Sequence, residues 1–305
     1  MIKKLTPGVL GESVVAVPPL CRNADYSLNG TQNAKLVRSL EVAGVRTLLY
    51  GGNANFYHLP PSEYAHTLSL LAQLASPQTL VIPSAGPAYG VMIEQARILR
   101  NHAFPTAMIL PQQGITTPDG VEAGVRKFVE IAGIPALLYI KDASYIEVEN
   151  AAALAKEGLL SGIKYAIVRP DPAEDPYLRK LVEHVDPKII ISGIGEQPAI
   201  IHLRDFKLAG FTSGCVCIAP NNSTKLLTAL RRREYAAAEK IRAVFKPLED
   251  LRNSINPIRV LHEAVRLAGI ADTGPLLPLL SNLEQKHHYQ VAAAAKALLQ
   301  AETVH

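Results

Sequence analysis

One lysine stands inside a short apolar stretch of the sequence. The stretch LLSGIKYAIV covers residues 159–168, and Lys164 is its only charged residue. Burying an ammonium group is costly unless the group is paired or loses its proton, and burial lowers a lysine pKa. A neutral amine attacks carbonyl carbons readily, so the sequence predicts Lys164 as the nucleophile of an imine-forming site. The alternative is a lysine whose stem packs while its head reaches solvent.

Two polar residues in the preceding apolar stretch, LLYIKD, support the same chemistry. Tyr139 and Lys141 are two residues apart, so on a strand their side chains face the same side. A tyrosine hydroxyl at such a site can carry protons while a carbinolamine forms and collapses, although strand tyrosines are often core residues. Lys141 can lower the pKa of Lys164 by charge repulsion, or bind a substrate carboxylate.

Glycines and amides accompany these residues in the segment YGGNANFYH. Gly51 and Gly52 leave backbone N–H groups accessible, and Asn53 adds a polar side chain. These groups form a candidate carboxylate site, with a simple tight turn as the alternative. The segments ISGIGE and SGCVCIAPNN add Gly193 and Gly214, which permit close approach of a small ligand or of a phosphate group.

The elements that must position these residues form a repeating pattern. Eight apolar runs, which begin near residues 13, 46, 79, 106, 135, 161, 188 and 210, alternate with segments of helical periodicity. Parallel strands covered on both faces read as continuous apolar runs, and no G-x-G-x-x-G motif follows the first two. The pattern predicts an α/β fold, a (β/α)8 TIM barrel, with Lys164 at the carboxyl end of the sixth strand.

The chain after the eighth run has a purely helical pattern. We therefore expect a barrel over residues 1–222 and a C-terminal helical region over residues 223–305.

Composition narrows the possible functions. The chain of 305 residues is 48% hydrophobic and 19% charged, which is typical of a globular protein. Its net charge of +4 comes from scattered residues, so we expect no nucleic-acid partner. Prolines and glycines interrupt the N-terminal apolar residues, so we expect neither a signal peptide nor a membrane partner. Three cysteines without a CxxC motif favour a cytoplasmic location, and no spacing of residues predicts a metal site.

Together, these segments resemble the dihydrodipicolinate synthase / N-acetylneuraminate lyase family of Schiff-base aldolases over nearly the whole chain. Lys164 in GIK matches the family's Schiff-base lysine, and Tyr139 matches its proton-relay tyrosine. The loop 51–55 and the following HLPPSEY match the second-strand loop of the family. Gly193 and Val216 match a glycine at the sheet end and a position in the pocket wall.

The resemblance implies a class I lyase that binds a 2-oxo acid, such as pyruvate or a keto-deoxy sugar acid, as an imine. The reaction would be an aldol condensation, its reversal, or a dehydration. No metal or organic cofactor is implied, because the protonated imine is itself the electron sink. The resemblance also implies a homo-oligomer, a dimer or a tetramer.

The sequence departs from the family pattern at three places. Gly52 and Asn53 replace a threonine pair, Ser144 stands where the synthases have a carboxylate-binding arginine, and Gln113 replaces a tyrosine supplied by a neighbouring subunit. Imine chemistry is therefore expected, rather than dihydrodipicolinate synthesis proper. A synthase proper, a catalytically inactive oxo-acid-binding barrel, and a phosphate-binding barrel unrelated to imine chemistry remain the alternatives.

Overall fold

The barrel predicted from the sequence is present in the computed structural model, which describes residues 1–6 and 8–303. Within those residues, nine parallel strands form one sheet in the order β3-β2-β1-β9-β8-β7-β6-β5-β4. They are β1 (Val15–Ala16), β2 (Thr47–Leu49), β3 (Leu80–Ile82), β4 (Ser84–Ala85), β5 (Ala107–Ile109), β6 (Ala136–Ile140), β7 (Leu160–Tyr165), β8 (Ile190–Ser192) and β9 (Gly210–Ser213).

Nine strands correspond to the eight predicted apolar runs because the third run is divided at Pro83. Proline has no N–H to donate to a sheet ladder, so the run continues as two short strands, β3 and β4. The carbonyl of Pro83 still accepts a hydrogen bond of 2.8 Å from the N–H of Met108. The two segments are the ends of the sheet order, so the polypeptide itself completes the ring between them.

A helix follows each barrel strand except β3, on the outside of the ring. These helices are α2 (Gly30–Val42), α3 (Tyr64–Leu74), α4 (Tyr89–Leu99), α5 (Pro118–Ala132), α6 (Val148–Lys156), α7 (Pro176–His184), α8 (Ala199–Asp205) and α9 (Pro220–Arg231), after the short α1 (Val9–Glu12). Local sequence explains their starts: Thr117 and Asp175 accept N–H hydrogen bonds at the first turns of α5 and α7, each followed by proline.

Strand register places the predicted lysine beside the predicted tyrosine. Lys164 of β7 pairs with Tyr139 of β6 on one side and with Ile191 of β8 on the other. The next residue, Tyr165, points outward, where its hydroxyl donates to Asp175 at the start of α7. Because side chains alternate along a strand, Lys164 points into the barrel.

Three further helices, α10 (Tyr235–Ser254), α11 (Pro257–Leu267) and α12 (Gln285–Thr303), complete the described chain. The side chain of Asn256 begins α11 by accepting from the N–H groups of Ile258 and Arg259, at 3.1 and 3.0 Å. Arg252, near the end of α10, and Pro257 and Ile258, at the start of α11, lie at the carboxyl ends of the strands. Residue 222 falls inside α9, and the division into a barrel and a helical region remains a prediction. No helix of the described residues is long and apolar enough to cross a membrane.

Candidate active site

A cavity of about 190 Å³ opens at the carboxyl ends of the barrel strands. It brings together seven of the eight residues predicted for the site: Gly51, Gly52, Asn53, Tyr139, Lys141, Lys164 and Gly193. The remaining residue, Val216, is fully buried in the turn Cys215–Cys217 and does not line the cavity. Thr212 and Gly214 form the cavity wall at this strand end instead.

Lys164 lies at the bottom of this cavity with 7% of its surface exposed. Its Nζ is 4.1 Å from the centroid of the Tyr139 ring. Burial lowers the pKa of Lys164 to about 7, and the positive charges of Lys141 and Arg252 act in the same direction. A large fraction of the amine is therefore neutral near neutral pH, as a nucleophile requires.

Tyr139 shares the cavity with the lysine and remains protonated across the physiological range. Burial raises its pKa to about 12, while the positive charge of Arg252 partly opposes the shift. The hydroxyl is thus a proton donor in its resting state. Its position on β6, directly across the ladder from Lys164, suits it to exchange protons with a group bound to the amine.

Gly193 leaves the space that the lysine stem occupies. A Cβ atom at this position would lie 2.8 Å from the carbonyl oxygen of Tyr165 and 3.0 Å from Cγ of Lys164. The N–H of Gly193 donates to that same carbonyl at 2.6 Å, which fixes the end of β8 against β7. The glycine predicted from sequence therefore supports the lysine by its lack of a side chain.

The glycine loop after β2 faces the lysine from the opposite side of the barrel. A 3₁₀ turn covers Gly52–Ala54, and Gly51 precedes it with a Cβ position only 2.6 Å from Cε of Met108. The Asn53 side chain donates to the carbonyl of Val17 at 2.9 Å, which holds the loop against β1. The backbone N–H groups of Gly51, Gly52 and Asn53 lie at the start of this turn and have no partner within it. They are therefore available to an anion in the cavity.

The two other positions that distinguish the chain from the synthases lie outside the cavity wall. Ser144 turns back on its own loop, where its hydroxyl donates to Asp142 at 2.6 Å. Gln113 is exposed in the segment after β5. Neither side chain lines the cavity.

Several cavity residues were not predicted from the sequence, and two of them carry groups that can take part in binding or proton transfer. Arg252, from α10, reaches the cavity above Gly214, and Tyr57, from the loop after β2, lines it beside Gly52. Burial raises the pKa of Tyr57, and Tyr139 lies close enough to contribute to the shift. Neither residue lies at the end of a barrel strand, so the pattern of apolar runs gave no signal for them.

Known proteins share both this fold and this sequence pattern. A probable 5-dehydro-4-deoxyglucarate dehydratase from Xanthobacter autotrophicus is 25% identical over 283 residues, 90% of this chain and 91% of the relative. The crystal structure of dihydrodipicolinate synthase from Bacillus clausii is similar with a TM-score of 0.82 and 25% identity, over 95% of this chain and 98% of that one.

A sialic acid aldolase from Ruminococcus gnavus has a TM-score of 0.83 at 13% identity, over 96% of this chain and 99% of that one. At that identity the likeness concerns the fold alone. No profile of a known protein family matches the sequence.

The barrel and these relatives place the protein among lyases of the class I aldolase type. The chain resembles the dihydrodipicolinate synthase / N-acetylneuraminate lyase family over nearly its whole length, at low sequence identity.

Proposed function

We propose that the protein is a Schiff-base lyase, aldolase or dehydratase that acts on a 2-oxo acid such as pyruvate or a keto-deoxy sugar acid. The observation that carries this proposal is the buried amine of Lys164, which lies over the Tyr139 ring inside a cavity at the strand ends. A relative named as a 5-dehydro-4-deoxyglucarate dehydratase supports the dehydratase variant.

The proposed reaction begins when the carboxylate of the 2-oxo acid binds the N–H groups of the loop formed by Gly51, Gly52 and Asn53. The lone pair on Nζ of Lys164 attacks C2, and the carbonyl oxygen takes a proton from Tyr139. The resulting carbinolamine loses water and becomes a protonated imine. The positive nitrogen then accepts the electron pair when a proton leaves C3, which gives an enamine.

The enamine has two productive fates in this proposal. Its C3 can attack an aldehyde, which forms a carbon–carbon bond, and the reverse sequence cleaves that bond. If C4 carries a hydroxyl group, the enamine can instead expel it as water, which is a dehydration. In each case water then attacks the imine carbon and releases Lys164 as the free amine.

Exchange of the C3 protons of pyruvate for deuterium tests this proposal without knowledge of the second substrate. The enamine step returns a solvent deuteron to C3, so wild-type protein in D₂O should remove the methyl signal of pyruvate in proton NMR. Lys164→Ala should abolish the exchange. Exchange at an undiminished rate in Lys164→Ala, or no exchange with any 2-oxo acid in the wild type, would contradict the proposal.

A barrel that binds oxo acids without turnover is the second candidate. It is favoured by the loop after β2, where Gly52 and Asn53 supply no hydroxyl group and the Asn53 amide is committed to Val17. The same experiment separates the two, because a binder would bind pyruvate saturably while leaving its C3 protons in place.

We also propose a cytoplasmic homo-oligomer, a dimer or a tetramer. All three cysteines are free and buried, which suits a reducing compartment. Light scattering coupled to size exclusion would give the number of subunits, and a monomer at micromolar concentration would contradict this part of the proposal.

A further inference from the structure

The wall of the active-site cavity is basic. Lys141, Lys164 and Arg252 line it, and no aspartate or glutamate is among its described lining residues. Lys164 is neutral for much of the time near neutral pH, but the other two side chains add positive charge. Within the described chain, no carboxylate lies within 4.0 Å of either Lys141 or Arg252. Cations that have no carboxylate partner beside a cavity favour binding of an anion from solution.

Arg252 is held in place by the barrel and by α11. Its Nε donates to the carbonyl of Pro257 at 3.3 Å, and its Nη1 lies 4.0 Å from Sγ of Cys215. Gly214 makes room for the guanidinium, because a Cβ there would come within 3.0 Å of Nη2. These contacts leave donors of the guanidinium free, since the group carries five.

The acid one helical turn before Arg252 does not neutralise it. Burial raises the pKa of Glu249 well above its usual range, and the neighbouring Glu196 acts in the same direction. These two effects favour the neutral form of Glu249. Neither glutamate lines the cavity, so neither competes with a ligand for the face that Arg252 presents there.

We propose that Arg252 and Lys141 bind a second acidic group of the substrate, so that the protein prefers dicarboxylic 2-oxo acids to monocarboxylic ones. This inference rests on the proposed imine chemistry, in which the loop after β2 takes the carboxylate next to the oxo group. Arg252 and Lys141 then remain for a carboxylate at the far end of the molecule. A guanidinium matches the planar geometry of a carboxylate, and Lys141 adds a second charge.

Matched pairs of acids test this inference. Imine formation is trapped with borohydride and measured by intact-protein mass spectrometry for 2-oxoglutarate against 2-oxopentanoate, and for 2-oxoadipate against 2-oxohexanoate. Each pair has one chain length and differs in the terminal carboxylate. Work at pH 9 keeps Lys164 neutral in every variant. We expect the better diacid to half-saturate at a concentration about 10- to 100-fold lower than its partner, as for loss of a charged hydrogen bond.

Substitutions assign that preference to residues. In Arg252→Gln, and separately in Lys141→Gln, the ratio of the two half-saturating concentrations should fall at least about fivefold. Lys246→Gln removes a charge from the exposed side of the same helix, where Lys246 pairs with Asp250, and should keep the wild-type ratio. Both acids of a pair are measured with the same preparation, which has one folded fraction. The ratio of the two half-saturating concentrations is therefore insensitive to partial unfolding of a variant.

The outcomes separate this inference from the proposed function. Absence of any adduct in the wild type would overturn the imine chemistry itself. Adducts that form equally well with both acids of each pair would overturn the second-carboxylate site alone. A preference for diacids that survives in both Arg252→Gln and Lys141→Gln would likewise overturn the assignment to these residues.

Discussion

Lys164 has to serve as a neutral amine before the reaction and as a positively charged nitrogen during it. Burial and two neighbouring cations lower its pKa to about 7, which favours the first state. The face of the Tyr139 ring, 4.1 Å from Nζ, stabilises positive charge and so favours the second. The two effects together suit an amine that forms a protonated imine in each cycle.

Lys141→Met should raise the pKa of Lys164, because it removes a like charge that disfavours the ammonium form. The acid limb of the pH–rate profile for C3 exchange should then move to higher pH by about half a unit to one unit. Lys127→Met, at an exposed position on α5, is the control and should leave the limb near pH 7. A Lys141→Met profile that overlays the wild-type one would show that the two amines do not interact.

Tyr139→Phe keeps the ring beside Lys164 and removes the proton donor. We expect C3 exchange to slow by about 10²- to 10⁴-fold, the usual contribution of a general acid or base. The adduct trapped by borohydride should still form, but slowly, because Nζ remains buried and nucleophilic. Exchange at the wild-type rate would show that another group carries the proton, for which Tyr57, the other tyrosine among the described lining residues, is a candidate.

At the scale of the secondary-structure elements, the site depends on the register of three strands. Tyr139, Lys164 and Ile191 are level across β6, β7 and β8, and a shift of one residue would turn the lysine out of the barrel. The end of β8 is held by the hydrogen bond between the N–H of Gly193 and the carbonyl of Tyr165. Main-chain contacts therefore set the position of the Lys164 backbone and the direction in which its side chain points.

Gly193→Ala tests this dependence. The new Cβ would come within 2.8 Å of the Tyr165 carbonyl oxygen and 3.0 Å of the Lys164 stem, so backbone and lysine must shift. We expect a loss of about 1–3 kcal/mol in unfolding free energy and a fall of tenfold or more in the rate of adduct formation. Gly90→Ala, in α4 with open space around its Cβ position, is the control. Unchanged kinetics in Gly193→Ala would refute the role of this glycine.

The sequence predicted the parts of the site that depend on strand order and alternation. Continuous apolar runs and two-residue spacing sufficed to place Lys164 and Tyr139 side by side on neighbouring strands, as the register shows, and Lys141 at the same cavity. Arg252 was missed because its position depends on contacts between α10 and residues far away in the chain, such as Gly214 and Cys215. Val216 was expected in the pocket wall, but the chain turns before it and buries it.

At the scale of the whole molecule, a buried pair of acids joins the C-terminal helices to the barrel. Glu249 of α10 accepts from the N–H of Glu196, after β8, at 2.8 Å. Glu196 in turn accepts from the hydroxyl groups of Ser213 and Ser223. The second oxygen of each carboxyl group, Oε2, has no hydrogen-bond partner within the described chain. Two buried acids this close cannot both be ionised without cost, which raises the pKa of Glu249 well above its usual range.

Glu249→Gln should therefore reduce the pH dependence of stability. The pKa of Glu249 is raised in the folded protein and ordinary in the unfolded chain, so the folded state binds more protons between the two values. The contribution of Glu249 to the unfolding free energy of the wild type is therefore fully present at low pH. It is lost as the pH rises from the unfolded-state pKa through the folded-state pKa. Glutamine mimics the protonated acid at every pH, so urea unfolding at pH 5 and pH 8.5 should show a smaller loss for Glu249→Gln.

The exposed Glu239 on the same helix supplies the control, because Glu239→Gln should follow the wild-type pH dependence. Parallel stability curves for wild type and Glu249→Gln would show that Glu249 is already ionised in the folded protein.

The most direct test of the account is the identity of the residue that forms the imine. Wild-type protein is treated with pyruvate and borohydride, digested, and mapped by mass spectrometry. We predict one reduced pyruvyl group on the peptide that contains Lys164, and none in Lys164→Ala. A stable adduct on Lys141 or another lysine, or no adduct with pyruvate or any other 2-oxo acid, would contradict the assignment of Lys164 as the nucleophile.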